Sequence, residues 1–417
     1  MKTERIFYQD VYTTAFDAVV EEIRQDDKGT WVRLDRTAFY PEGGGQPCDI
    51  GYLEWERSVE NTCRTGVERL AVADVQEMDE VIWHRVENKE LQTGAIRLDD
   101  SKSEGIENLS IGLSVHGRVN WVRRLYLMQQ HSGEHIVSGL IHEQYGYDNV
   151  GFHLSMDTMT LDLNGDLTWE DLKQIEASAN RIVRENRPVE ITYPTELELK
   201  KLSYRSKKEL TGQVRIVSIP GVDICACCGT HVTRTGEIGL IKITDMQKWN
   251  NGVRVWMCCG MQAERYCRVL QEENRRISVA LSAKPEETGT AVDRVIGELA
   301  QLKQELTGWK YRYYDQVVKA YEGKPGVVLF EEDLTMEDLR HLTDKLMDAC
   351  PGECFVFSGK DNQGYRYAVG RRGGDVRGLV RAMNAALSGR GGGKNEMAQG
   401  SLQATGAQIE AWLREKS

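Results

Sequence analysis

No run of about 18 apolar residues occurs in this chain, so no segment reads as a membrane-spanning helix. Its start, MKTERIFYQD, lacks the apolar stretch of a signal peptide, and a cytoplasmic location without membrane contact is the default expectation. Internal repeats and low-complexity segments are missing as well. Positive charge is in deficit: 53 Lys and Arg stand against 64 Asp and Glu, a formal net charge of −11. Such a chain repels a polyanion at long range, which excludes a protein that coats nucleic acid by bulk attraction. A disulfide framework is not expected either. The ten cysteines are spread along the chain, and five of them crowd into Cys225, Cys227, Cys228 and the adjacent pair Cys258 and Cys259, where bridging is rare. Reduced thiols and metal ligation are the readings that remain.

What is present is an ordinary globular composition, 40% hydrophobic and 28% charged, over 417 residues, enough for two to four domains. The charge is unevenly placed. From Lys360 to Lys394 eight Lys and Arg face only Asp361 and Asp375, and from Lys200 to Arg215 six face only Glu209. Each stretch is either a solvated face or a local phosphate contact.

The expected fold class is α+β and multidomain. Residues 1–95 read as a β-barrel-like domain: Thr30 to Thr37 alternates after the turn signal Asp26-Asp-Lys-Gly29 and runs into Phe39-Tyr-Pro-Glu-Gly-Gly-Gly-Gln46. Three successive glycines permit positive φ and close approach of backbone to a ligand, or simply a pliable loop. Residues 96–261 read as an α+β unit, with a helix from Trp121 to Tyr145 stopped by Gly146 and a hairpin at Asn250-Asn-Gly252. Residues 262–321 read as a helical hairpin or coiled coil. There Val292, Val295, Leu299, Leu302, Leu306, Trp309 and Tyr313 form an a/d seam that either arrangement would bury. Residues 322–417 read as a C-terminal α/β domain with strands at Gly326–Phe330, Cys354–Phe357 and Tyr365–Val369, ending in the glycine-dense Gly389 to Gly400.

Two short patterns carry chemistry. His131 and His135, at i and i+4 on the Trp121–Tyr145 helix, project from one face with Cβ atoms roughly 6 Å apart, close enough for one metal ion. Cys227 and His231, before the hairpin, supply a second pair through a tight turn. Together they make four ligands for one zinc ion.

In order, Asp35-x-Thr37-x-Phe39-Tyr-Pro-Glu-Gly-Gly-Gly-Gln46-x-x-Asp49-x-Gly51, His131-x-x-x-His135, Gly151-Phe-His153, Cys227-x-x-x-His231-Val and Gly391-Gly-Gly-x-x-x-x-Ala-Gln-Gly400 span nearly the whole chain. The set resembles the editing half of alanyl-tRNA synthetase and its free-standing relatives, the AlaX-type trans-editing proteins. The C-terminal block looks like the DHH-associated domain of the long AlaX form. The β-rich domain starts at residue 1, with no room before it for an aminoacylation domain, and an Asp-His-His triplet is missing; the expectation is a stand-alone editor rather than a ligase or a DHH phosphoesterase.

The resemblance implies hydrolysis of the ester joining serine, and sometimes glycine, to the 3′ end of alanine tRNA. By resemblance, Zn2+ is held by His131, His135, Cys227 and His231, either in the chemistry or as a closed structural site. Thr37 corresponds to the threonine that senses the serine hydroxyl, the other reading being a strand threonine kept for packing. Gly43, Gly44 and Gly45 approach the tRNA terminus, and Gln46 either hydrogen-bonds near it or caps the loop. Glu134 stands where relatives carry small or neutral residues, and acts as a base, supports a ligand, or points away. Cys228 replaces a glycine of the common motif, which leaves Cys225 and Cys228 open as an alternative half-site. His153 contacts substrate or is a satisfied core histidine. Arg254 and Gly391, Gly392 and Gly393 complete the substrate contacts, with mischarged alanine tRNA as partner and homodimerisation through the C-terminal region plausible. The competing function is a noncatalytic tRNA-binding protein with a structural zinc.

Overall fold

The computed structural model describes residues 2–58, 65–88, 105–206 and 213–416. The expected domain boundary at 95/96, and Lys207, Lys208 and Glu209 of the second basic stretch, lie outside them. The chain divides into two units, Met1–Glu273 and Asn274–Ser417.

In the first unit six antiparallel strands close into a barrel, in the order Ala15–Asp26, Gly29–Leu34, Val81–Glu87, Thr65–Met78, Gly51–Ser58, Ser114–Val119 and back to Ala15–Asp26. Alternation drives the closure. Phe16, Ala18 and Val20 point inward between exposed neighbours. They join Val32, Leu34, Leu53, Leu70 and Val86 in one core.

The helix Trp121–Tyr145 follows the last barrel strand. Asn120 caps its start by accepting the Arg123 N–H, and Gly146 closes it in the left-handed region at φ 70°. Almost every residue from Arg124 to Ile141 is buried, because other elements cover this helix on all sides. Two glycines admit close neighbours. A Cβ on Gly133 would lie 2.2 Å from Cys259 Sγ, and one on Gly139 would lie 2.4 Å from the Val222 carbonyl oxygen. The neighbours lie in, or in a turn beside, two sheets. One is four-stranded and antiparallel, ordered Ile241–Trp249, Gly252–Cys259, Met159–Leu163, Asn149–Leu154; the other has three strands, Glu190–Thr192, Ile216–Ile219 and Asp223–Ala226. A second helix, Trp169–Glu185, packs on the first.

One buried ion pair ties helix to barrel. Arg124 Nε lies 3.0 Å from Asp49 Oδ1, both side chains have no exposure, and Arg124 also donates to the carbonyls of Val11 and Ala38.

In the second unit a five-stranded sheet runs Val327–Glu331, Cys354–Lys360, Gly364–Gly370, Met397–Leu402, Arg390–Gly393, with helices Met336–Ala349, Arg377–Ala386 and Gly406–Lys416. The first strand pair is parallel and the others antiparallel. Before them comes the helix Thr288–Tyr321. Among the described residues no hairpin within the chain covers its heptad stripe, Val295 being 40% exposed, Leu302 62% and Trp309 63%, which leaves the coiled-coil alternative. Tyr314, one step off the seam, joins the core cluster of Leu339 and Leu342, with Val317, Val318 and Tyr321 packed against it. The net excess of positive charge at 360–394 shrinks, since acids distant in sequence pair with it. Arg371 meets Glu353 at 3.0 Å, Arg372 meets Asp344 at 3.0 Å, and Lys360 meets Glu332 at 3.5 Å. No described helix is long and apolar enough to cross a membrane.

Candidate metal centre

The structure brings His131, His135, Cys227 and His231 together, with one ligand atom from each lying within 4.8 Å of all the others. Cys227 Sγ is 3.4 Å from Nε2 of His131 and 3.4 Å from Nε2 of His231. Zinc bonds of about 2.3 Å to sulfur and 2.0–2.1 Å to nitrogen set tetrahedral ligands roughly 3.5 Å apart, so these separations suit that ion. The three imidazoles are 1–2% exposed and Cys227 is half-buried.

Each histidine is oriented from behind. His131 Nδ1 donates to Gln46 Oε1 at 2.9 Å and His135 Nδ1 to Asp223 Oδ2 at 2.8 Å, while His231 Nδ1 meets Ser132 Oγ at 3.2 Å. An amide oxygen and a carboxylate only accept, so the first two rings carry their proton on Nδ1 and present Nε2 as the ligand atom. The holders are held in turn. Gln46, with no exposure, donates from Nε2 to Thr230 Oγ1 at 2.9 Å and accepts the Thr230 N–H at 3.1 Å; Arg205 grips Asp223 with Nε at 2.8 Å and Nη2 at 2.9 Å.

The cluster shares protons unequally. Burial opposes a charge on Cys227, yet the imidazoles of His131 and His231 outweigh it and hold the thiol well below its ordinary range. Burial also opposes protonation of His135, but its hydrogen bonds to Asp223 and Cys227 raise it well above the usual value. His231 goes the other way, pushed down to about 3 by burial. Once a metal displaces the His135 Nε2 proton, the set would supply a thiolate and three imidazole donors, the chemistry that zinc takes. Cys225 differs. Burial pushes its thiol up to about 11, and although it forms a second group with His135 and Asp223, both of those are already engaged with each other.

The glycines build a turn. Gly43 and Gln46 exchange backbone hydrogen bonds at 3.1 and 3.0 Å, with Gly44 at φ 61° and Gly45 at φ 82°, the two positive values of a type I′ hairpin loop. The turn packs against the centre: a Cβ on Gly44 would lie 3.2 Å from Cys228 Sγ and one on Gly45 would lie 2.8 Å from Phe152 Cδ1. Phe152 itself stacks on His131, centroids 5.3 Å apart.

The remaining residues lie as follows. Glu134 is 1% exposed, accepts from Ser138 Oγ at 2.7 Å and Asn149 Nδ2 at 2.6 Å, and its Oε2 is 3.9 Å from His135 Nε2. His153 is exposed, which corrects its reading as a core histidine; next to Phe152 on one strand, it falls on the other face. Arg254 makes a two-point pair with Asp162 at 2.5 and 2.7 Å and stacks over Trp249. Gly391, Gly392 and Gly393 form the exposed edge strand of the second unit.

Thr37 is fully buried in the barrel core. It accepts the Phe39 N–H at 3.0 Å and lies 2.8 Å from His84 Nε2. His84 Nδ1 faces the Val32 carbonyl at 3.1 Å, which only accepts, so Nδ1 holds the proton and Thr37 donates to Nε2. Burial pushes the His84 imidazole down to about 4. Between about pH 6.5 and 4 the unfolded chain thus binds a proton that the folded one refuses, and stability falls as the pH falls through that window, by about 3 kcal/mol. Urea unfolding at pH 7 and pH 4 is expected to show this loss reduced in His84→Gln; an equal loss in both proteins would refute it.

Residues 214–255, which include Cys227 and His231, match the second additional domain of threonyl and alanyl tRNA synthetases; residues 3–100 match class II (A) tRNA synthetases, and 323–415 the DHHA1 domain. The alanine–tRNA ligase of Pyrococcus furiosus is 31% identical over 96% of this chain, and that of Pyrococcus abyssi 30% over 96%. The chain spans 42% of the length of either ligase. The alanyl-tRNA editing protein AlaX-L of Pyrococcus horikoshii is 27% identical over 97% of this chain and 96% of its own length. The chain is a homologue of AlaX-L. This one chain carries both the match to a tRNA synthetase additional domain and the match to the DHHA1 domain. Sequence reasoning missed the supports of the centre: Ser132, Asp223, Arg205 and Phe152. Of these Ser132, inside His-Ser-Gly-Glu-His, and Phe152, inside Gly-Phe-His, lay within motifs, while Asp223 and Arg205 did not.

Proposed function

We propose that this chain is a trans-editing hydrolase that deacylates mischarged Ser-tRNA(Ala), and Gly-tRNA(Ala), with one zinc ion held by His131, His135, Cys227 and His231. The observation that carries this reading is the convergence of those four ligand atoms at the wall of a pocket of about 710 Å3, which Cys227 lines. Zinc in such a donor set polarises a carbonyl or lowers the pKa of a water.

The chain's own residues supply the rest. Ester hydrolysis adds water to the acyl carbon and breaks its bond to the ribose oxygen, leaving free serine and a tRNA hydroxyl. An aminoacyl ester is already activated, so positioning and charge stabilisation suffice without a covalent nucleophile. Gln46, Asp223 and Ser132 keep the imidazoles in register. Four protein ligands describe a closed site, and Cys227 is the one ligand that is not buried, so the substrate side opens there. In this reading Glu134, whose Oε2 is 3.9 Å from His135 Nε2, takes a proton from attacking water. Thr37 spends its O–H on His84 and one lone pair on the Phe39 N–H, and in this reading its second lone pair reports the serine hydroxyl.

In the second unit Arg366, Arg381, Arg390 and Lys394 make no ion pair among the described residues, which supports contact with the tRNA body near the Gly391–Gly393 edge. The exposed stripe on Thr288–Tyr321 supports self-association through that unit.

Metal-replete protein incubated with Ser-, Gly- and Ala-tRNA(Ala) is expected to release serine and glycine while sparing alanine. Tight tRNA binding without release of serine would instead establish the noncatalytic reading.

A further inference from the structure

The pocket beside Cys227 contains a charge without a counter-ion. Arg215 is 7% exposed, directly before the strand Ile216–Ile219. Its Nη1 donates to the carbonyls of Cys227 at 2.7 Å and Gly229 at 3.0 Å, and its guanidinium lies over the ring of Tyr8, 5.0 Å from the centroid. Nε and Nη2 have no hydrogen-bond partner, and no carboxylate pairs with Arg215 among the described residues. The other cations lining the pocket are spoken for: Lys2 pairs with Glu80 and Arg5 with Glu77, each at 2.6 Å. The Cys227 thiolate is engaged with the imidazoles of His131 and His231. A buried guanidinium with open donors is costly unless a ligand anion completes it, and its planar fork suits phosphate oxygens.

We infer that Arg215 receives the last phosphodiester of the tRNA 3′ end, and that the exposed ring of Tyr193, 43% accessible on the same pocket wall, stacks the terminal base. This rests on the deacylase reading of the neighbouring centre. In a 3′-aminoacyl nucleotide the nearest phosphate lies one ribose away from the ester. Arg215 is set one main-chain carbonyl away from Cys227, so an ester at the metal centre places that phosphate on the Arg215 side of the pocket. Base stacking on an aromatic ring adds affinity without reading sequence, as a terminus shared by every tRNA requires.

The test uses the full chain and two probes, the trinucleotide CCA and the same trinucleotide with an uncharged methylphosphonate at its last linkage, titrated calorimetrically. Wild type is expected to bind the charged form at least tenfold more tightly. Arg215→Met, checked for folding by thermal melting, is expected to bind the two equally, and Tyr193→Ala to weaken both by a similar factor. Equal binding of the two probes by wild type, no binding of either, or full discrimination retained by Arg215→Met would each overturn the assignment. If Arg215→Met does not fold, the wild-type ratio and Tyr193→Ala decide. Failure of serine release with the trinucleotide pattern intact would reject the hydrolase reading alone, whereas serine release with an indifferent wild type would reject this inference alone.

Discussion

Cys227→Ala is expected to bind zinc about 10²–10³ times more weakly than wild type and to release no serine from Ser-tRNA(Ala). Structural zinc sites bring about 10–16 kcal/mol from four ligands, so one ligand is worth roughly 3–4 kcal/mol. The substitution also removes the charge that the imidazoles of His131 and His231 are arranged to meet. Cys228→Ala is the matched control. Cys228 is exposed, and it is not among the four atoms that converge. It should keep zinc, as should Cys225→Ala, whose thiol is held protonated by burial. Chelator competition separates the three variants. Full zinc retention by Cys227→Ala, or its loss from the Cys228 or Cys225 variant, would move the ligand set to the Cys225 and Cys228 half-site.

The ligands were legible because each pair is local. His131 and His135 need only one helical turn, and Trp121–Tyr145 runs between the limits that its sequence marks, with Gly146 in the left-handed region as the stop. The hairpin at Asn250 was legible for the same reason, Asn250 adopting φ 48° between paired Trp249 and Gly252. The supports of the histidines were not. Asp223 reaches His135 because the turn at Val222 presses against Gly139, and nothing within either segment announces that meeting. Gln46 was noticed at its glycine turn, but its placement behind His131 depends on how the barrel docks on the helix. Arg215 stood in a basic stretch where its neighbours suggested a solvated face, and its burial under Tyr8 overrides the local composition. The seam on Thr288–Tyr321 was legible only in part. Its heptad spacing specified a helix with an apolar stripe, but spacing does not say what covers the stripe.

Breaking the Arg124–Asp49 pair should have the largest effect on stability. Asp49→Ala leaves a guanidinium with no exposure and no counter-ion, and removes the acceptor for the Tyr40 N–H at 2.7 Å. Loss of one partner from a buried pair costs about 3–5 kcal/mol, much of it from the charge left behind. The pair also governs the metal centre at a distance. Asp49 closes the loop that begins at Thr37 and carries Gly43–Gln46, since its carboxylate receives the Tyr40 N–H and its own N–H bonds the Tyr40 carbonyl at 2.9 Å. Arg124 sits on the helix that presents His131 and His135, two turns earlier. The ion pair therefore fixes the distance between Gln46 and His131, and a slackened loop should weaken zinc binding by about 10–100-fold, as loss of a ligand's outer partner does. Gln46→Ala separates the two effects. It leaves the ion pair intact, so it should reproduce the drop in zinc affinity with a much smaller loss of urea resistance than Asp49→Ala. If Asp49→Ala unfolds at the wild-type urea concentration, or keeps wild-type zinc affinity while Gln46→Ala loses it, then the barrel and the helix are joined by packing alone and the pair does not set the register of the metal centre.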